Sequence, residues 1–274
     1  METAAIQTNG LLEHLGSFAF VVTMTALSGA SAGCSHQLYS PPTRMANLES
    51  ARTAAPGETV VGVHAGGYSA VFDPAVVVGN VGVRRGIAPG KEVDADVTWG
   101  HLVQDDYSGM NRDVLAGRVG AKLGNQKGWA ATYGGIGGGF APEVGGFSAL
   151  DVGGVISYPN CYVVPSLNAT AFGSVPIAAK QVDFRNDAGE YIASSRAVWT
   201  YGFGLAGGID IPLDRERCRQ NLTPPRIQLG LGFNDFIRSD GTKRIESMTN
   251  SPSSPHTGGQ FATVGLALGV EVPF

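Results

Sequence analysis

Charge is scarce in this sequence. Only 15% of its 274 residues are Asp, Glu, Lys or Arg, against about 25% in typical soluble domains, so a heavily charged surface is not what keeps the chain in its place. Basic charge is the scarcer sign. Nineteen Lys and Arg stand against 23 Asp and Glu, for a net charge of -4 and a pI near 5.7, which excludes the basic surface that nucleic-acid binding needs. The apolar run Leu15 to Leu27, LGSFAFVVTMTAL, falls short of the ~20 residues a membrane-spanning helix requires. Helical periodicity of useful length is missing from Gly57 onward, and no His or Cys pair has ligand spacing, so neither a metal nor a cofactor is expected. Glycine is what the chain has in excess. Its 40 glycines are about twice the usual ~7% usage, with no G-x-y period that would signal collagen.

The N-terminus is a separate object. Leu15 to Leu27 leads into SGASAGC, and residues 1–33 read as an export signal, although METAAIQTNGLLEHLG carries Glu2 and Glu13 where a signal usually carries Lys or Arg. A buried N-terminal helix is the bland alternative. Ala30-Ser31-Ala32 satisfies the small-residue rule for ordinary cleavage. Ser31-Ala32-Gly33-Cys34 instead resembles a bacterial lipobox, with Ser31 in place of the usual aliphatic, and that resemblance implies lipidation of Cys34. There are three cysteines, Cys34, Cys161 and Cys218. A lipidated Cys34 leaves Cys161 and Cys218 for one disulfide, which an oxidising compartment permits; three free thiols are the alternative. Residues 34–56 are polar, contain Pro41-Pro42 and do not alternate, so they are expected to form a periplasmic linker.

From residue 57 to 274 apolar residues recur at every second position in segments of roughly 10 to 16 residues, longer than the ~5 to 6 of an average soluble strand. About ten are readable: 58–71, 76–87, 92–103, 112–124, 128–141, 146–157, 161–172, 195–211, 225–237 and 260–274. Eight and twelve strands remain alternatives. Tight connectors at Pro89-Gly90-Lys91, Asn125-Gln126-Lys127 and Pro159-Asn160 alternate with longer ones, VQDDYSGMNR, the polar stretch 176–194 and RSDGTKRIESMTNSPSSPHTGG. Asp73-Pro74-Ala75 is shorter, and LDRERCRQNLTPP longer, than this alternation asks. Hairpin loops of about three residues predict pairing of Val97 with Val83 and Trp99 with Val81. The same arithmetic pairs Leu123 with Trp129, Ala121 with Ala131 and Val119 with Tyr133.

The character of the second face chooses between a protein core and lipid. Trp199, Tyr201, Phe203, Leu205, Ile209 and Ile211 alternate with Thr200, Gly202, Gly204, Ala206, Gly208 and Asp210. In a soluble sandwich the face away from the core is rich in Lys, Glu, Thr and Ser. A Gly and Ala face beside an aromatic one fits a narrow closed barrel with a crowded inside and a lipid-facing outside. Trp129, Tyr158 and Phe274 then fall near one rim and Trp199 and Tyr201 near the other, as interfacial girdles do.

With an export signal, long alternating strands, connectors of alternating length and a last strand ending LALGVEVPF, the chain resembles a bacterial outer-membrane β-barrel protein over roughly residues 57–274. The resemblance implies an all-β, closed, antiparallel up-and-down transmembrane barrel. It also implies that Leu266, Leu268, Val270, Val272 and the terminal Phe274 form the signal read by the barrel-assembly machinery of a Gram-negative envelope. Short turns, both barrel ends, Cys34, Cys161 and Cys218 would be periplasmic and the long loops external. The two cysteines would be two strands apart, and the long eighth connector would bring Cys218 within disulfide reach.

Glu92, Asp94 and Asp96 alternate with Val93, Ala95 and Val97, so the acids point into the proposed lumen with Arg84, Arg118 and Lys122, and Arg84 is predicted opposite Asp96. This cluster is either the selectivity lining of a small pore or a charge network filling a narrow barrel; barrels of this size are usually filled by side chains. His64 and Glu271 are expected to meet where first and last strands close the barrel. His101, Asp105 and Asp106 lie near the outer rim, but no Asp-x-His occurs, and Ser108 has no reason to approach His101. The sequence thus predicts an outer-membrane barrel, not an enzyme, with a structural, adhesive or small-pore (porin-like) role and outer-membrane lipid as its surroundings. A secreted soluble barrel or sandwich binding an apolar ligand is the alternative, and a rim enzyme the third reading.

Overall fold

The computed structural model describes residues 40–44, 48–69, 75–103, 113–142, 145–185, 189–239 and 260–274. Ten long strands form a closed antiparallel wall: β1 (Thr59–Ser69), β2 (Ala75–Ala88), β3 (Lys91–Val103), β4 (Asp113–Gly124), β5 (Ala130–Ala141), β6 (Gly145–Ser157), β7 (Val164–Ile177), β10 (Thr200–Pro212), β11 (Arg226–Arg238) and β12 (Gln260–Pro273). Each pairs with its sequence neighbours in the wall, and β1 pairs with β12 to close it. Two elements lie outside the wall. The hairpin β8 (Gln181–Arg185) with β9 (Tyr191–Arg196) extends the connector between β7 and β10, inside a stretch that lacks the alternation of the wall strands. The short helix α1 (Arg215–Arg219) follows β10, and the Asp214 carboxylate caps it by accepting from the backbone N–H groups of Glu216 and Arg217.

Alternation sets the two faces. Along β12, Val264, Leu266, Leu268, Val270 and Val272 are exposed on the outside, while Thr263, Ala267 and Glu271 are buried inside. Val63, Val81, Val97, Val119, Leu150, Ile156 and Leu231 continue the exposed apolar surface around the wall. At the short-turn end Trp129 packs edge-on against Tyr158, with ring centroids 5.2 Å apart. Toward the other end Trp99, Trp199, Tyr201 and Phe203 are exposed.

Two registers differ from the expected ones. Between β2 and β3, Val81 pairs with Val97, Val83 with Ala95 and Arg84 with Asp94, not Asp96. The turn is Pro89-Gly90, with Gly90 at φ +73°, and a bulge at Ile87 absorbs the odd residue. That offset is even, so every side chain keeps its face. Between β4 and β5 the offset is odd: Leu123 pairs with Thr132, Ala121 with Gly134 and Val119 with Ile136. The loop 125–129 is longer than assumed. Asn125 donates its backbone N–H to the Ala130 carbonyl and accepts the Trp129 N–H on its side chain, and Gly128 takes φ +70°. Consequently Ala131 and Tyr133 face inward and Thr132 faces out, the reverse of the expected arrangement.

The interior is filled by the chain itself. Residues 40–44 and 48–54, expected as part of a linker, run through the barrel with Ser40, Thr43, Ser50, Ala51 and Ala54 buried. Their polarity and Pro pair, which suggest a solvated tether, suit a polar lumen equally well. Residues 1–39, and with them the export signal and Cys34, lie outside the described residues.

Candidate functional site

The lumen is the feature with chemistry in it. Its wall supplies charge from alternate positions: Arg84 on β2, Glu92, Asp94 and Asp96 on β3, Arg118 and Lys122 on β4, Asp151 on β6, Asp210 on β10, Arg226 on β11 and Glu271 on β12. The threaded segment adds Arg44 and Glu49. Arg44 reaches Glu49 at 2.8 Å, Asp96 at 2.5 Å and Asp94 at 3.2 Å. Lys122, 2% exposed, meets Glu49 at 2.7 Å and Glu92 at 3.6 Å. Arg118 donates through Nε and Nη2 to both oxygens of Asp151, at 2.6 and 2.8 Å, and through Nη1 to Asp94. Arg84 bridges Glu92 at 2.8 Å and Glu271 at 2.5 Å. Arg226 joins Glu271 and Asp210, each at 2.7 Å, and donates to Ser50 Oγ at 2.6 Å.

Such burial is tolerable only because each charge has a partner: an ion taken out of water costs several kcal/mol unless pairing and hydrogen bonds offset it. Backbone groups of the segment are tied to the wall as well. The Ser40 N–H donates to Thr200 Oγ1 at 3.0 Å, the Ala51 N–H to Ser157 Oγ at 2.8 Å and the Ala54 N–H to Glu92 Oε2 at 2.5 Å. The glycines of the wall explain how it fits. A Cβ on Gly230 would run into Leu48 Cδ2, and one on Gly124 would lie 3.0 Å from the Ala51 carbonyl oxygen. Glycine at these positions makes the groove into which the segment packs. Among the described residues, cavities beside it have volumes of about 20, 20 and 10 Å³, each enough for a water molecule at most.

The sequence-predicted residues are distributed as follows. All of the expected lumen cluster, Arg84, Glu92, Asp94, Asp96, Arg118 and Lys122, shares this network. His64 and Glu271 stand beside the closing seam, where Gly62 pairs with Glu271 and His64 with Gly269. The His64 ring contacts Gln228 Oε1 at 2.8 Å and Asn80 Oδ1 at 3.3 Å, with Glu271 at 3.9 Å. Cys161 and Cys218 form a disulfide that fastens α1 to the connector before β7. Arg52 donates to the Leu222 carbonyl at this same mouth. Phe274 is 79% exposed, and its backbone pairs with Thr59. At the opposite rim His101 Nδ1 lies 2.9 Å from Asp113 Oδ1, which also accepts from Trp99 Nε1. Asp105, Asp106 and Ser108 lie outside the described residues. Among the described residues no group of three or more His, Cys, Asp or Glu could hold a metal ion.

Sequence reading missed Arg44 and Glu49, which have no periodic context, and Asp151, Asp210 and Arg226, whose inward parity was available. It also missed Tyr133, whose hydroxyl donates to Asn168 at 2.5 Å and meets Thr170 inside the lumen.

No protein-family model matches the chain, and no curated protein sequence matches it. Among solved structures, Neisserial surface protein A (NspA) aligns at 9% identity over 79% of this chain and 96% of its own, with a TM-score of 0.31. The outer membrane protein OprG from Pseudomonas aeruginosa aligns at 8% over 81% and 98%, with a TM-score of 0.28. The translocator domain of the autotransporter NalP from Neisseria meningitidis aligns at 10% over 99% and 100%, with a TM-score of 0.37. The architecture of the present chain rests on its own strand pairing, not on these alignments.

Proposed function

We propose that the chain is an integral outer-membrane β-barrel protein whose own N-terminal segment closes the lumen, giving a structural, non-conducting and non-enzymatic barrel. One observation carries the reading: the barrel is inside-out relative to a soluble one. Its outer wall exposes a belt of Val, Leu, Ile and Phe between rims of Trp and Tyr, while its interior holds the charges. An exposed apolar surface of that extent is stable against lipid and not against water. In this reading the short turns, the disulfide and Phe274 face the periplasm, the long connectors face outward, and the outer-facing residues of β12 with Phe274 address the assembly machinery.

The soluble ligand-binding alternative is disfavoured because the interior is ionic and occupied. The rim offers the enzyme reading a couple, His101 held by Asp113 with Trp99 stacked on it at 5.9 Å, and such a couple orients an imidazole without by itself supplying a nucleophile. The test is threefold. The protein should pellet with envelopes, shift in mobility on a denaturing gel when boiled, and give no conductance steps in a planar bilayer. A soluble fraction without a heat shift refutes the membrane reading; steady conductance refutes the plug.

A further inference from the structure

The described ends of the threaded segment lie at opposite ends of the barrel. Ser40 lies at the long-loop end, between Thr200, the first residue of β10, and Ser174 on the last part of β7, with the Ser40 and Ser174 hydroxyls 2.7 Å apart. Ser50 and Ala54 lie toward the short-turn end, against Arg226 and Glu92, and Pro56 forms a bridge with Gly86 beside the turn that joins β2 to β3. The segment therefore descends the whole lumen before β1 rises.

We propose that the chain preceding Ser40 leaves the barrel through its long-loop mouth, so that the residues before the plug, Cys34 among them, are carried on the opposite side of the membrane from Phe274. The proposal rests on the membrane reading above and adds a surface-displayed N-terminus to it. Reach supports it. The span from Cys34 to Ser40 extends at most about 20 Å, whereas strands of 12 to 14 residues, tilted by about 40°, make a wall roughly 30 Å tall. A return through the lumen is blocked by the segment itself. A return across the outer wall would strip backbone groups of hydrogen bonds in hydrocarbon. Any lipid on Cys34 is then held at the outer face, contrary to the periplasmic anchor the sequence suggests.

Epitopes inserted after Gln37, after Lys180 and after Gln126 in the full chain, with Cys34 intact, provide the test. Antibody should reach the Gln37 and Lys180 epitopes on intact cells and the Gln126 epitope only after permeabilisation. A Gln37 epitope that behaves like the Gln126 one, or that is trimmed from the mature chain, overturns the display while leaving the membrane reading intact. A Lys180 epitope unreachable on intact cells overturns both. In chains of unaltered length, a Ser40→Cys, Ser174→Cys pair should cross-link and a Ser40→Cys, Ser157→Cys pair should not; the reverse outcome also rejects the proposal.

Discussion

Arg118 shows how a single residue is made tolerable inside this barrel. Its side chain is 0% exposed, Asp151 meets it with both oxygens, and Asp94 takes the remaining corner. A Cβ on Gly120 would come within 2.5 Å of its Nη1, so the neighbouring glycine is the space the guanidinium occupies. Arg118→Ala should strand the buried Asp151 carboxylate, leave Asp94 to Arg44 and cost roughly 3 to 5 kcal/mol, read as a lowered urea midpoint of the purified barrel in detergent. Arg118→Lys should recover only part, because an ammonium cannot match a carboxylate two-pronged. An Ala variant as stable as the parent would mean the pairing contributes nothing. The position of Arg118 was legible because period two places it opposite the apolar residues of β4. The inward parity of Asp151 was equally available, but its pairing with Arg118 was not, because the guanidinium reaches it over Gly135 of the intervening β5 and such a contact leaves no trace in the spacing of either strand.

At the scale of elements, the ten strands were legible from alternation, and their registers only in part. Alternation loses its power where both faces are small. In AATYGGIGGGFA of β5, glycines stand on both sides, and an assumed loop length decided the face wrongly. The observed register gives a paired expectation. Tyr133→Phe should cost about 1 to 2 kcal/mol, since the buried Asn168 oxygen loses its 2.5 Å donor and retains the longer one from Thr170 at 3.3 Å. Thr132→Leu, on the lipid side, should leave stability unchanged or raise it. If the Leu variant is the damaged one, β5 faces the other way. The disulfide is also an element-scale device, closing a loop with a sequence separation of 57. Cys218→Ser should lower thermal stability, by up to about 4 kcal/mol on a chain-entropy basis. The boiling-dependent gel shift should persist, because the wall is hydrogen-bonded strand to strand without it. Loss of the shift would show that the barrel depends on the bridge.

For the whole molecule, the decisive fact is that wall and filling come from one chain with very different sequence signals. The wall is periodic and was readable; the filling is an aperiodic polar segment whose partners lie far along the chain, as Ser40 with Thr200 and Ser50 with Arg226 do. Contacts of that separation need the late strands in place, whereas Ala54 with Glu92 and Glu49 with Lys122 need only β3 and β4. The segment carries one charge of each sign into the network, Arg44 and Glu49, so its removal leaves the balance to the wall. There Glu92, Asp94, Asp96, Asp151, Asp210 and Glu271 outnumber Arg84, Arg118, Lys122 and Arg226. A chain lacking residues 35–50 that still inserts and still shifts on boiling should therefore conduct, and acidic walls favour cations. Its reversal potential in a KCl gradient should move toward that of potassium. A folded, inserted variant that stays silent would show that the wall side chains alone close the barrel; one that prefers chloride would show that the wall carboxylates do not set the field along the lumen.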